Sequence, residues 1–349
     1  MALHVHGSDL SPQQKRLWLI EKKFGQVFSN GRIEIAGPLN RDTLVEALRH
    51  VTDKYEILRT SRVATGDGFP LQRVDDVPTH RLKFAEKTYG AAPHPPAEEA
   101  PAGAGDAVQY TLLRQSAEKH ALLIQAPAAA LDFHSLNILL GEIALRYDAG
   151  EKKETSGPAR EDLPYRQYAE WQNENIALAE ENEVDYWKQL DPSGLFNFRL
   201  PGENLGDAPH KWVDTDTVSF CIPAPEARDL LGRLAEQGTA AEDFFLTCWA
   251  VLLHRFSGSQ RPAFGCIDNH REHAVLGKGV GLYAKLLPVA CEMDPADRFS
   301  DCLRQVGGAY REAREWKDYY VLARHDCTLT PTEDPMLVPY VFEYRNFAP

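Results

Sequence analysis

The sequence predicts an α/β protein built as two lobes, and three observations carry that reading. At 349 residues the chain is too long for one simple core. Residues 121–143 read as strand, loop and helix in immediate succession. The apolar run Ala121–Ala126 is a buried strand, Pro127 to Asp132 a tight loop, and a helix starting near Ser135 places Leu136, Leu139, Leu140 and Ile143 on one apolar face. The second half of the chain repeats the same alternation of strand and amphipathic-helix patterns.

Taken in order, Leu10-Ser11-Pro12-Gln13-Gln14 is a helix start, with Ser11 as cap, Pro12 in the first turn and Gln14 closing a capping box. Leu17, Trp18 and Ile20 follow it. Arg32 to Ile35 alternates as a strand does. Asn40 caps a helix with Leu44, Leu48 and Val51 on one face. Residues 91–106, rich in Pro, Ala and Gly, read as a mobile surface loop rather than a domain boundary. The strand 107–113 pairs with Ala121–Ala126 as a hairpin. Ser135 is placed at the cap of the helix that follows. Residues 150–163 are polar with Gly and Pro, and beyond them Tyr165, Tyr168 and Trp171 sit at helical spacing as core aromatics. Thr217 to Ile222 reads as a strand. Thr239-Ala-Ala-Glu242 reads as a capping box leading a helix with Leu246, Trp249, Ala250 and Leu253 on one side. Pro262 to Ile267 is a further strand, and Phe299, Leu303, Val306 and Tyr310 mark another helix.

Composition narrows the function classes. Hydrophobic residues at 43% suffice for packed interiors. A net charge of −13 argues against a nucleic-acid binder. No apolar run is long enough to span a bilayer, and Met-Ala-Leu-His-Val-His-Gly-Ser at the start has no signal-peptide pattern, which points to a cytoplasmic protein. The six cysteines, Cys221, Cys248, Cys266, Cys291, Cys302 and Cys327, show no ligand spacing and read as buried free thiols, not as a disulfide set or zinc site. No serine lies in a nucleophile-elbow pattern, so a Ser/His/Asp triad has no support. The acidic runs Glu98-Glu99 and Glu180-Glu181-Asn182-Glu183 read as solvated faces.

The strand, loop, Asp132, small spacing, Ser135 and amphipathic helix together resemble the layout around the His-His-x-x-x-Asp-Gly motif of nonribosomal peptide synthetase condensation domains. Asp132 falls on the motif's Asp and Ser135 on a Ser often found three residues later. Pro127 and Ala128 occupy the two histidine positions and Phe133 the glycine position. Other stretches are similar to the family in the same order along nearly the whole chain. Leu10-Ser11 to Gln14 resembles its Leu-Ser-x-x-Gln opening. Tyr55-Glu-Ile-Leu58-Arg59-Thr60 resembles His-Glu-x-Leu-Arg-Thr, with Tyr55 for the His, and Gln72-Arg-Val74 matches a later strand. Tyr165 to Trp171 and Tyr186-Trp187-Lys-Gln-Leu190 resemble the helix joining the lobes. Arg271 stands where the family has a Gly-Arg pair. Val280-Gly281-Leu-Tyr283 to Leu287-Pro288 resembles Ile-Gly-x-Phe-x-Asn-x-Leu-Pro, with Lys285 for the Asn, and Val341-Phe342-Glu-Tyr344-Arg-Asn346 resembles Phe-Asn-Tyr-x-Asn. The resemblance implies two chloramphenicol-acetyltransferase-like lobes in a V-shaped pseudo-dimer with a central cleft. The N-terminal lobe would span residues 1–175 and the C-terminal lobe 176–349. The second lobe looks truncated, because the family's closing segment, including a strand that latches onto the first lobe, has no counterpart here.

The resemblance names a fold and, at the same place, lacks the residue that the family's chemistry uses. The second motif histidine meets an amine nucleophile on one carrier-protein thioester as it attacks an acyl thioester on another, a task suited to a neutral imidazole. Ala128 has no titratable group, and Pro127 also removes a backbone donor. The heterocyclisation variant's Asp-x-x-x-x-Asp-x-x-Ser fits at Asp132 and Ser135 but fails at Pro127, and the acyltransferase His-x-x-x-Asp fails at Ala128. His134 reads as a surface or helix-terminal histidine on a different side of the loop from Ala128. In the family the motif Asp is mainly structural and bonds an Arg, which makes Arg271 the expected partner of Asp132. The catalytic set is therefore empty, the degenerate motif is Pro127, Ala128, Asp132, Phe133 and Ser135, and no metal is expected. The resemblance implies a non-catalytic domain that recruits a tailoring oxygenase to an amino acid or peptide held on a peptidyl carrier protein. Two kinds of relative do this: the X domain, which recruits cytochrome P450 enzymes, and the interface domain of siderophore synthetases, which recruits non-haem iron β-hydroxylases. Loss of both histidines leans towards the interface kind. Adjacent synthetase domains are further partners, no cofactor belongs to this chain, and the phosphopantetheine arm belongs to the carrier. The alternatives are peptide-bond formation without the histidine, by bringing two thioesters together, and a structural spacer.

Overall fold

A computed structural model describes residues 7–66, 68–76, 83–88, 108–152, 161, 163–179, 186–187, 192–203, 217–321, 329–332 and 337–346. The chain divides into two compact units. The first comprises Met1–Lys22, Gln26–Glu174 and Asn269–Tyr283, and the second Lys23–Gly25, Asn175–Asp268 and Ala284–Pro349. A single cut at 175/176 would thus leave Asn269–Tyr283 outside the unit it packs with.

In the first unit the capping box forms. Ser11 N–H donates to Gln14 Oε1 at 3.0 Å, Gln14 N–H donates to Ser11 Oγ at 3.2 Å, and α1 runs Pro12–Phe24. Asn40 caps α2 (Arg41–Lys54) through the amides of Asp42 and Thr43. A 3₁₀ turn at Glu56–Arg59 leads into β3 (Thr60–Val63). β3 pairs antiparallel with β4 (Leu71–Val74), which also pairs with β1 (Ser8–Asp9). A four-stranded sheet has the order β2-β7-β6-β5. There β7 (Lys119–Pro127) is antiparallel to both β2 (Phe28–Ala36) and β6 (Gln109–Ser116), and β5 (Lys83–Thr88) joins β6 in parallel. α3 (Phe133–Glu151) follows β7, and α4 spans Tyr165–Ala177. Leu136, Leu139 and Ile143 of α3 meet Leu44, Leu48 and Val51 of α2 in one buried cluster that also holds Tyr165, Tyr168, Val280 and Tyr283. Each such side chain removed from water contributes roughly 1.5–3 kcal/mol.

The second unit holds the short α5 (Pro192–Asn197), α6 (Ala224–Glu236), α7 (Ala241–Ser257), α8 (Phe299–Glu315) and a sheet of order β10-β8-β9. β8 (Ala263–Asp268) is antiparallel to β9 (Lys285–Ala290) and parallel to β10 (Val341–Phe342). Leu246, Ala250 and Leu253 of α7 pack with Val306 and Tyr310 of α8 over Phe264, Leu287 and Val289.

Five sequence expectations are corrected. The cap of α3 is Asp132, not Ser135, and the helix begins at Phe133. Thr239 makes no capping box. Its amide donates to Leu234 O and the amide of Gly238, at φ 65°, donates to Ala235 O, a Schellman closure that ends α6 and leaves Ala240 at the start of α7. Thr217–Ile222 is not a strand. No described strand accepts its backbone groups, and Val218 and Phe220 are each 90% exposed. Trp171 is 37% exposed rather than core, lying against His270. Of the cysteines, Cys266, Cys291 and Cys302 are buried free thiols, but Cys248 is only half-buried and Cys221 is exposed. Residues 91–106, Cys327 and the two acidic runs lie outside the described residues. Among the described residues no helix is long and apolar enough to cross a membrane, and no group of three or more His, Cys, Asp or Glu is placed to hold a metal.

Candidate functional site

Between the end of β7 and the start of α3, every turn of the chain is held by a named bond. Ala128 N–H donates to Val27 O at 2.9 Å and Ala130 N–H to Pro127 O at 2.8 Å. Ser29 Oγ on β2 donates to Leu131 O at 2.7 Å. Gln14, already used in the capping box, reaches the loop with its other amide atom, and Nε2 donates to Ala129 O at 3.1 Å. Pro127, Ala129, Ala130 and Leu131 are buried, and Ala128 is half-buried with a methyl group as its whole side chain. Phe133 is half-buried in the first turn of α3.

Asp132 gathers the surrounding polar groups. Its Oδ1 accepts from Ser135 N–H at 2.7 Å, and Arg271 Nη2 lies 3.0 Å from Oδ1 and 3.2 Å from Oδ2. Oδ2 also accepts from Tyr283 N–H at 2.9 Å. The pair is enclosed, with the Arg271 and Asp132 side chains 3% and 4% exposed. Arg271 Nη1 spans the carbonyls of Leu276 and Gly279, at 2.7 Å each, and its guanidinium lies 4.4 Å from the centre of the Tyr283 ring. An isolated carboxylate at this depth is very costly, whereas one that accepts from an arginine and two amides is satisfied.

Ser135, released from capping, ties the loop to residue 281. Its hydroxyl donates to Gly281 O at 2.7 Å and accepts from Gly281 N–H at 2.9 Å and from Arg271 Nη2 at 2.8 Å. The amide of Asp132 donates to the same Gly281 O. A Cβ on Gly281 would stand 2.0 Å from Cδ2 of Tyr165, so only glycine permits this approach. Tyr165 OH donates to Leu282 O at 2.9 Å and lies 2.8 Å from Ser11 Oγ, which therefore donates to it. Its full burial, with smaller contributions from Tyr168, Tyr283 and Asp132, raises the phenol well above the usual range against the opposing Ser11 bond. Beside it Tyr168 OH meets His270 Nδ1 at 2.7 Å, with His270 in the left-handed region at φ 51°.

Pro127, Ala128, Asp132, Phe133, Ser135 and Arg271 all belong to the first unit. Of these, the structure brings Asp132, Ser135 and Arg271 into direct contact. His134 occupies the second position of α3, half-buried. Burial and the nearby Arg271 push its imidazole below the usual histidine range, against the weaker pull of Asp132 and a backbone bond at Gly277. The bridging role of Ser135, the amide of Tyr283 and the Tyr165 contact were not anticipated. The available signal was the retained glycine at 281, but its neighbour Tyr165 lies more than a hundred positions away. Chemically the loop is a lock. Its one carboxylate is spent on structural donors, and Ala128, whose amide is tied to Val27 O, bears no group able to move a proton.

A profile of the family described as the condensation domain matches residues 6–348. Surfactin synthase subunit 2 of Bacillus subtilis is 26% identical over 317 residues, which cover 89% of this chain and 9% of that protein. The chain thus spans about a tenth of that relative's length. The first condensation domain of the calcium-dependent antibiotic synthetase, solved with a substrate analogue, superposes with a TM-score of 0.77 at 19% identity, covering 90% of this chain and 76% of that one. The X-domain solved in complex with OxyB from teicoplanin biosynthesis superposes with a TM-score of 0.63 at 20% identity, covering 91% and 72%.

Proposed function

Because this chain belongs to the condensation-domain family of nonribosomal peptide synthetases, we propose that it is a non-catalytic member that recruits a tailoring oxygenase to an amino acid or peptide carried by a peptidyl carrier protein. The observation that carries the proposal is the loop 127–132. The fold and the Asp132–Arg271–Ser135 lock are kept, while the positions of the two family histidines hold Pro127 and Ala128. A base is absent from the loop where the family places one, and the only carboxylate there already accepts from Arg271, Ser135 and Tyr283. A domain relieved of catalysis but held to its fold is free to serve as a platform. One relative of this fold, the teicoplanin X-domain, is known in complex with OxyB. Loss of both histidines favours a non-haem iron β-hydroxylase over a P450 as the recruited enzyme. The oxidative cofactor and the phosphopantetheine arm would belong to the partners.

The test is affinity capture from the producing organism's lysate with this domain as bait, read by mass spectrometry and followed by binary binding of the captured enzyme in purified form. A non-haem iron oxygenase or P450 that binds the purified domain supports the proposal. Capture of carrier domains alone, with no oxygenase, sinks it and returns the reading to a condensing enzyme that works by proximity.

A further inference from the structure

In the second unit the segment 217–222 has the alternation of a strand but not the neighbour that would make it one. Val218 and Phe220 are each 90% exposed and Ile222 is 38% exposed, and the alternate residues Thr217, Ser219 and Cys221 are exposed as well. Among the described residues no backbone–backbone hydrogen bond reaches Val218, Ser219, Phe220 or Cys221. The segment carries no charge, in a chain of net charge −13. A run of unpaired backbone bearing bare apolar side chains is a template for another strand.

We propose that this edge pairs with the same segment of a second copy, antiparallel about a two-fold axis through Ser219, so that the chain forms a symmetric dimer. The segment is complementary to itself. With Ser219 opposite Ser219, Val218 of each copy lies opposite Phe220 of the other, and these apolar side chains share one face of the ribbon. A shift of one residue would set Phe220 against Thr217 or Ser219 and divide the apolar side chains between two faces. Absence of charge matters too, because two chains of this net charge approach with least repulsion along an uncharged strand.

The exposed surface is large enough for such a pair. With Leu231 on α6, which is 47% exposed, the side chains of Val218, Phe220 and Ile222 present roughly 450 Å² per copy. With the backbone of the paired strands, two copies enclose about 1,000 Å², the low end for a specific and reversible interface.

The test is sedimentation equilibrium of the whole chain between about 5 and about 200 µM, a range set around the Kd on the order of 10 µM that an interface of this size supports. A reversible monomer–dimer equilibrium is expected. Phe220→Asp should weaken it at least ten-fold while the melting temperature stays unchanged, since the side chain lies on the surface of the monomer. Ser219→Cys in a Cys221→Ser background should cross-link to a covalent dimer under mild oxidation, because the two residues face each other across the axis. A chain that stays monomeric at about 200 µM overturns the proposal, as does a dimer that persists in Phe220→Asp or fails to cross-link at residue 219. Slow amide exchange across 218–221 in the monomer would assign the edge to a strand of different sequence, and overturns it as well.

Discussion

At the scale of single residues, Asp132 is a buried carboxylate engaged by donors from three separate parts of the chain. Its oxygens are filled by Arg271, Ser135 N–H and Tyr283 N–H, and its side chain is 4% exposed. Removing it leaves Arg271 buried without a counter-charge, so Asp132→Ala is expected to destabilise the protein by about 3–5 kcal/mol in denaturant titration. An unchanged midpoint would contradict the structural role. Glu161 is expected to act in the opposite sense. Burial pushes its carboxyl up from the ordinary 4.5 to about 7. The stability it contributes is therefore fully present below pH 4.5 and is lost as the pH rises from there through 7. Between pH 5 and 7.5 wild type should lose stability relative to Glu161→Gln, on the order of 2 kcal/mol. Parallel melting temperatures across that range would refute this. Asp132 and its partner Arg271 were legible in the sequence, because the motif order survives. Glu161 was not, because its burial depends on Glu56 and on α2 and α3, all distant in sequence.

At the scale of elements, two similar sequence patterns met different fates. Ser11 and Gln14 form their box and go further, Gln14 pinning Ala129 and Ser11 donating to Tyr165. Thr239 and Glu242 form none, since the Thr239 amide closes α6 and Glu242 accepts from Tyr310 OH instead. Ser11→Ala should therefore cost about 1 kcal/mol or more in thermal or chemical unfolding. Thr239→Ala should stay within about 0.5 kcal/mol, and equal losses in the two variants would contradict the assignment. The same contrast marks how far local pattern reaches. Strands β2, β6 and β7 and helices α1, α2 and α3 follow from alternation, caps and apolar stripes. The segment 217–222 alternates just as well, yet it gains no ladder, because pairing is a property of the neighbour and not of the segment. The position of Ser135 suggests a cap, but the aspartate three residues earlier accepts from the Ser135 amide itself. The serine hydroxyl is thereby released to hold Gly281.

At the scale of the whole molecule, the chain has a condensation-domain fold and a buried lock around the loop 127–132, in which positions 127 and 128 are proline and alanine. It spans 9% of surfactin synthase subunit 2 and 2% of cyclosporin synthetase simA, two of the synthetases it matches. The claim that this part does not itself form peptide bonds is tested most directly by supplying the purified domain with two loaded peptidyl carrier proteins, one bearing an aminoacyl donor and one an aminoacyl acceptor. Mass spectrometry of the carrier-bound thioesters then reads the outcome. The expected result is no dipeptidyl thioester above the protein-free control. Dipeptide formation that depends on the domain and saturates with acceptor carrier would contradict the claim, and would identify a condensing enzyme that works without a base at position 128.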